Sequence, residues 1–255
     1  AFAKFASKIP EYALTLANTF WPGPLTLILP KTNCVKNFVT GGQSCVGVRA
    51  PSHPIALQLL KQFEALGGLG IAAPSANRFG AVSPTNALAV EKELGRFFSV
   101  GDMILDGGNS NIGVESTIIS CIQKVPIILR PGAVTKEMIK RTLGLETIPD
   151  STLIQNNKIR TSGLLDTHYS PIAEVFLAGE PGDGEGMIAL KSIPTPEGAI
   201  RLASPSTNEE YAYLLYEALR LADTKGIGRV FAIPPTGGGI AVAINDRLKR
   251  AAHRE

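Results

Sequence analysis

The chain has 255 residues, 25 Lys and Arg against 22 Asp and Glu, a formal charge of +3 and 44% hydrophobic residues. That length accommodates two modest domains or one large α/β domain, while the apolar fraction and small net charge exclude a disordered chain. Gly (26) and Pro (18) are abundant without a Gly-X-Y period, so they read as turns and close backbone approaches, and the charge balance excludes a histone-like nucleic-acid binder.

Behind Pro10, the residues Tyr12, Leu16 and Phe20 recur at helical spacing, and Trp21-Pro-Gly-Pro24 ends that helix. Leu25–Leu29 reads as a buried strand and Cys45-Val-Gly-Val48 as a short strand ending at Arg49. Pro51-Ser-His-Pro54 opens a helix carrying Ile55, Leu59 and Phe63 on one face, closed by Gly67-Gly68. Ile71–Ala73 is expected to be a strand running into the turn Pro74-Ser-Ala-Asn77. Ser83-Pro-Thr85 is expected to cap a helix with Leu88 and Leu94 facing inward. Met103–Leu105, Ser116–Ile122 and Val125–Leu129 read as strands, and Thr135 caps a helix through Leu143. The alternation predicts an α/β fold with a mixed sheet, because a turn as short as Gln123-Lys124 demands antiparallel neighbours.

From about Gly144 to His168 the pattern weakens into a polar stretch that reads as a linker. Strands follow at Glu174–Leu177, Met187–Leu190 and Arg229–Ile233. A capping box at Ser206-Thr-Asn-Glu209 precedes a helix with Tyr213, Tyr216 and Leu219, and Ile240–Ala252 forms a closing helix. This alternation predicts a small Rossmann-like domain without nucleotide-binding glycines. Net charge is +4 through residue 150 and −1 beyond it, which assigns any anionic ligand to the first domain.

No long apolar stretch in Ala1–Pro10 suits a signal peptide, and no run approaches the roughly 18–20 residues of a membrane helix. Cys34, Cys45 and Cys121 lack a C-x-x-C or a Cys/His cluster, so neither a disulfide framework nor structural zinc is supported. Each is expected to be a small buried apolar side chain in a reducing compartment, the cytoplasm or an organelle interior. Walker A, G-x-G-x-x-G, G-x-S-x-G and H-E-x-x-H motifs are absent, which argues against P-loop, dehydrogenase, serine-hydrolase and zinc-protease chemistry. What remains is small polar and basic residues at strand ends: Arg49, Ser75, Asn77, Ser83, Ser116, Thr117 and Arg130. Strand ends and a capped helix N-terminus suit an anion. Each residue also has a plain structural role open to it, as a turn, cap, strand or surface residue.

Phe20-Trp-Pro-Gly-Pro-Leu-Thr-Leu-Ile-Leu-Pro30, Val46-Gly-Val-Arg-Ala-Pro-Ser-His-Pro54, Ala72-Ala-Pro-Ser-Ala-Asn77 with Ser83-Pro-Thr85, Gly113-Val-Glu-Ser-Thr117 and Ile128-Leu-Arg-Pro-Gly132 resemble the threonylcarbamoyl-AMP synthases of the YrdC-like family. Leu165-Asp-Thr-His-Tyr-Ser-Pro171 and Ala243-Ile-Asn-Asp-Arg-Leu-Lys-Arg250 resemble the linker end and C-terminal tail of that family's two-domain form. The resemblance implies a YrdC-like twisted mixed sheet over 1–143, a linker and lid over 144–171, and a smaller Rossmann-like domain over 172–255. It implies a nucleotidyltransferase that joins L-threonine, bicarbonate and ATP into threonylcarbamoyl-AMP and pyrophosphate. A separate complex would then transfer the group to a tRNA adenosine. Carried over by position, Arg49 would take the threonine carboxylate with the Ala73 backbone and Ser116. Cys45 (through its backbone), Ser75, Asn77, Ser83, Arg130 and Tyr169 would line the ATP side, with Mg²⁺ held on the phosphates. Leu165–Pro171 would close over the ATP as a lid carrying Tyr169. His53 and His168 are expected to be structural.

The same resemblance implies an opening P-T-E-T-x-Y-G-type stretch and a basic K-x-R motif that have no counterpart after Ala1. A chain beginning there is expected to turn over poorly by itself. Two other classes stand beside this reading. One is a non-catalytic relative of the same fold that binds tRNA or double-stranded RNA through the +4 first domain. The other is a carbamoyl-transfer maturation factor, disfavoured by the absence of Cys pairs and an acylphosphatase-like segment.

Overall fold

The structure is a computed structural model that describes residues 2–149, 159–161 and 169–253. Two compact units arise, and they do not follow chain order: Ala1–Ala73 with Glu115–Thr161, and Pro74–Val114 with Ser162–Glu255. The partition therefore detaches 74–114 from the expected first domain. Most of the expected linker falls on residues 150–158 and 162–168, outside the described residues.

The first unit is built on strands β1 (Leu25–Pro30), β2 (Cys45–Val48), β3 (Thr117–Ser120) and β4 (Ile127–Arg130), in the order β2-β1-β3-β4. β1 pairs antiparallel with β2 and parallel with β3, and β3 pairs antiparallel with β4, giving the mixed sheet expected from the short turns. Leu25, Leu27 and Leu29 alternate onto one face. There they pack with Ala13, Leu16 and Ala17 of α1 (Glu11–Phe20) and Ile139 of α4 (Lys136–Leu143). Ile28 turns the other way, against Cys45, Ile118, Ile127 and Leu129. Helix α2 (Pro54–Ala65) forms as expected, yet none of its residues is buried, and Leu59 and Phe63 remain exposed. The expected strand at Ile71–Ala73 is absent. A strand is defined by a hydrogen-bonded neighbour, and among the described residues none lies beside this segment. Met103–Leu105, in the second unit, fails for the same reason.

The second unit carries β5 (Glu174–Phe176), β6 (Gly186–Ile188), β7 (Ile200–Ala203) and β8 (Arg229–Ala232), all parallel, in the order β5-β8-β6-β7. Helices α5 (Asn208–Thr224) and α6 (Ile240–Ala252) bury Tyr211, Leu215, Leu219, Ile244 and Leu248 against Val175, Ile188 and Val230 of this sheet. The Rossmann-like expectation holds in architecture. Strand β7 escaped the sequence reading because Pro196, Gly198 and Pro205 surround it and a charged residue interrupts it. That residue, Arg201, folds back to donate hydrogen bonds to the carbonyls of Ala189, Leu190, Ile193 and Ala203. Residues 74–114 join this unit through Val82 and Val114, which sit in the same core. Gly113 has φ +77°, and a Cβ there would meet the Ala212 carbonyl oxygen at 2.3 Å, so only glycine permits this approach to α5.

Two caps lie elsewhere than expected. Helix α3 (Ala87–Leu94) begins behind Asn86, whose Oδ1 accepts from the Ala89 N–H, so Ser83 lies three residues ahead of the cap rather than serving as one. An Asn at the residue directly before the helix outcompetes a more distant Ser, because its side chain reaches the first free N–H groups. Only Ala89 of α3 is buried, while Leu88 is exposed. At α5 the box is shifted by one: Thr207 Oγ1 accepts from the Glu210 N–H, and Glu210 Oε2 accepts from the Ser206 N–H. Thr207→Ala should therefore cost about 1 kcal/mol in chemical denaturation, with Ser206→Ala near neutral. The reverse order would restore the box first read at Ser206.

Candidate functional site

The register of the first sheet gathers four strand ends. Leu25 faces Thr117, so β1 and β3 start side by side, while Leu27 faces Val48 and Ile118 faces Arg130, which brings the ends of β2 and β4 to the same edge. Arg49 follows β2, Ser116 precedes β3, Arg130 ends β4 and Thr26 lies one residue into β1. Residues far apart in sequence thus meet because of strand direction alone.

At this edge the Arg130 guanidinium, almost fully buried, donates from Nε and Nη2 to the Ser116 carbonyl at 3.2 and 2.9 Å and from Nη2 to Ser116 Oγ at 3.3 Å. Ser116 Oγ is in turn 2.8 Å from Thr26 Oγ1. Arg49 Nε donates to the Gly23 carbonyl at 2.9 Å, and the Gly23 N–H donates to the Ala50 carbonyl at 2.8 Å, which straps the two loops together. Although the Arg49 side chain keeps contact with solvent, desolvation of its guanidinium, followed by the like charge of Arg130, pulls its pKa below the ordinary value. Two cations held within electrostatic reach of each other raise the potential of the space they share, and an anion there relieves that repulsion. Arg also offers the fork that matches a carboxylate or a phosphate.

Gly132 completes this edge. A Cβ on it would lie 2.5 Å from the Thr117 nitrogen, 2.6 Å from the Glu115 carbonyl oxygen and 2.8 Å from the Ser116 carbonyl carbon. All three are backbone atoms that cannot swing aside, so the turn after Arg130 can lie this close only as glycine. Neither Gly132 nor Thr26 was singled out from the sequence as a site residue. Their signals were present: a glycine two residues after the arginine, and one hydroxyl inside an otherwise apolar strand.

The remaining sequence-predicted residues distribute as follows. Cys45 is the first residue of β2 and buried, and that burial pushes its thiol pKa up. Ala73 is exposed in an irregular segment of the first unit. Ser75, Asn77 and Ser83 lie in one loop of the second unit, Ser75 exposed and Ser83 buried. Asn77 closes this loop by donating from Nδ2 to the carbonyls of Arg78 (2.8 Å) and Ala81 (3.1 Å), and its Oδ1 is buried without a partner among the described residues. Tyr169 has φ +63° and is buried in the second unit, stacked on Tyr216 at 5.4 Å with the Arg247 guanidinium 5.3 Å from its ring centre. His168 and most of the expected lid lie outside the described residues. Among the described residues no three His, Cys, Asp or Glu side chains converge to hold a metal, and no helix is long and apolar enough to cross a membrane.

Comparison with known proteins decides the family. The model of the Sua5/YciO/YrdC family, described as telomere recombination, matches residues 1–132, and the model of the threonylcarbamoyl-AMP synthase C-terminal domain matches residues 134–253. The chain belongs to the threonylcarbamoyl-AMP synthase family. The threonylcarbamoyl-AMP synthase of Pyrococcus abyssi is 37% identical over 263 residues, covering 97% of this chain and 75% of the relative. That of Bacillus subtilis is 37% identical over 266 residues, covering 95% of this chain and 73% of the relative. A crystal structure of P. abyssi Sua5 complexed with L-threonine superposes with a TM-score of 0.82 at 34% identity, over 98% of this chain and 76% of that one. The two-domain assignment and the mixed α/β fold expected from the motifs are thereby established.

Two outcomes test this geometry. Gly132→Ala should lose about 1–3 kcal/mol of stability through overpacking, because the new methyl meets main chain on three sides. An unchanged denaturation midpoint would mean that the edge is looser than described. The thiols provide the second test. Cys34 is exposed, contrary to the expectation that all three would be buried: Thr32 and Cys34 tie its surface loop to the Lys4 carbonyl, outside any core. Cys45 and Cys121 are buried, and burial pushes Cys121 up to about 12. Titration of the folded chain with a thiol reagent near pH 8 should therefore report one rapidly reacting group, and three after denaturation.

Proposed function

We propose that this chain is an L-threonylcarbamoyladenylate synthase, forming threonylcarbamoyl-AMP and pyrophosphate from L-threonine, bicarbonate and ATP. The observation that carries this reading is the pair of guanidinium groups, Arg49 and Arg130, held at one sheet edge beside Ser116. The reaction has two anionic ends that must be brought together, the amino-acid carboxylate and the α-phosphate of the nucleotide. Arg49, an exposed residue anchored through its Nε, takes the carboxylate, helped by the Ser116 hydroxyl and the Ala73 backbone. Arg130 serves the phosphate side, with the Cys45 backbone and with Ser75, Asn77, Ser83 and Tyr169 as the remaining nucleotide residues.

The chemistry then asks little of the protein in the way of proton transfer. Threonine nitrogen and bicarbonate give the N-carboxylate with loss of water. An oxygen of that carboxylate, already anionic, attacks the α-phosphorus, and the bond to the bridging oxygen breaks as pyrophosphate leaves. Holding the two anions against their mutual repulsion is the principal task, and fixed guanidinium groups perform it without reorganising. Mg²⁺ accompanies the nucleotide in this reading, since phosphate oxygens are its preferred hard ligands. The product is a mixed anhydride that a separate complex would consume by transfer to a tRNA adenosine. Three free cysteines suit the reducing cytoplasm in which that transfer would occur.

Calorimetry of L-threonine binding to the wild-type chain and to Arg49→Ala tests the assignment. The variant should lose about 1.5–3 kcal/mol, the worth of a charge-assisted hydrogen-bonded pair. Undiminished affinity in a folded Arg49→Ala would remove the carboxylate from this edge and the reading with it.

A further inference from the structure

The loop that carries Asn77 and Ser83 is held by a residue from the far end of the sequence. Arg220, in the fourth turn of α5, donates from Nη2 to the Val82 carbonyl and from Nε to the Ser83 carbonyl at 3.5 Å. Its Nη1 reaches Glu93 Oε2 at 3.4 Å. Glu93, on α3, has its other oxygen on Arg78, at 2.8 Å from Nε and 3.3 Å from the backbone N–H. Arg78 is the residue after Asn77, and its carbonyl accepts from Asn77 Nδ2. The loop is thus fixed at both ends of the stretch 78–83, at its close by Arg220 directly and at its start through Glu93. Between them the Gly80 carbonyl accepts from the Ser170 N–H at 2.9 Å, and Val82 is buried beside the α5 core residues.

We infer that Arg220 is a positioning residue for nucleotide binding, setting the loop 77–83 in its binding conformation. The inference rests on the reading of Asn77 and Ser83 as nucleotide residues. Its physical basis is that a planar guanidinium has donors in fixed directions: one fork spans two successive carbonyls while the third nitrogen holds a carboxylate. A lysine at this position supplies the charge but not the span. The family's C-terminal domain, matched from residue 134 onward, thereby contributes to a loop that belongs by sequence to the N-terminal family model. Arg220 orients groups and does not itself touch the substrate.

The test is calorimetric, on the full chain, with Mg·ATP and L-threonine measured separately. Arg220→Met, which keeps the aliphatic stem, should weaken Mg·ATP binding about tenfold, the lower end for partners that orient ligand-binding groups, and leave L-threonine affinity unchanged. Arg220→Lys should recover only part of the loss. Glu93→Gln, which is isosteric, should show a smaller loss with the same selectivity, and it carries the test should Arg220→Met fail to fold. A merely structural arginine would lower the melting temperature without this preference for one ligand. Asn77→Ala separates the two layers. If it weakens Mg·ATP binding while Arg220→Met and Glu93→Gln do not, the positioning role is overturned and the nucleotide reading stands. If Asn77→Ala is itself without effect, the reading of the loop fails first.

Discussion

The first unit's candidate site depends on one constraint, the anchoring of two guanidinium groups to main chain at the same sheet edge. Neither is free to swing away, because Arg130 donates to the Ser116 carbonyl and Arg49 to the Gly23 carbonyl. Those carbonyls sit on segments whose spacing is set by the ladders of a four-stranded sheet. The binding energy for an anion is in this sense prepared during folding, when hydrophobic burial of Leu25, Leu27, Leu29 and Ile119 fixes the strands. A ligand carboxylate or phosphate then gains an attraction for which no further ordering is needed.

The mixed character of the sheet makes this possible. In an all-parallel sheet every carboxyl end would lie at the same edge, and amino ends would lie at the opposite one. Here β1 and β3 begin where β2 and β4 finish, so one edge collects side chains from both kinds of strand end. Gly132 follows from the same geometry. A chain leaving an antiparallel strand at its end must pass over the start of its neighbour, and the main chain of 115–117 leaves no space for a Cβ there.

Much of this could be read in the sequence, and the failures have identifiable causes. The strands Leu25–Pro30, Cys45–Val48 and Ile127–Arg130 were legible because apolar runs ended at glycine, proline or arginine, and the helix at Lys136–Leu143 because Thr135 is an unambiguous cap. Ser83 was misplaced as a cap because sequence spacing does not reveal which of several nearby polar residues has its side chain aimed at the free N–H groups. Ile71–Ala73 has strand composition but no neighbour among the described residues, and composition reports propensity without pairing. The candidate site was legible as a set of residue types and only through family resemblance as a set of roles. Thr26 was legible only as one hydroxyl in an apolar strand, its partner lying 90 residues away, and Arg220 was not legible at all, since its importance lies in a contact 137 residues away.

Tyr169 illustrates how a burial pattern constrains a functional reading. A tyrosine that leaves a lid when a ligand departs should have a weakly held resting place. Tyr169 instead adopts a left-handed backbone angle, stacks on Tyr216 and lies under the Arg247 guanidinium. A left-handed backbone costs a non-glycine residue on the order of 1 kcal/mol or more and persists only where surrounding contacts enforce it. These two contacts come from α5 and α6. The end of the linker is thereby fixed to the same helix that carries Arg220. Tyr169 at the end of the linker and the carbonyls of Val82 and Ser83 in the loop 77–83 are thus both held on α5. That arrangement gives the C-terminal domain a physical role, as the mount on which both segments are held.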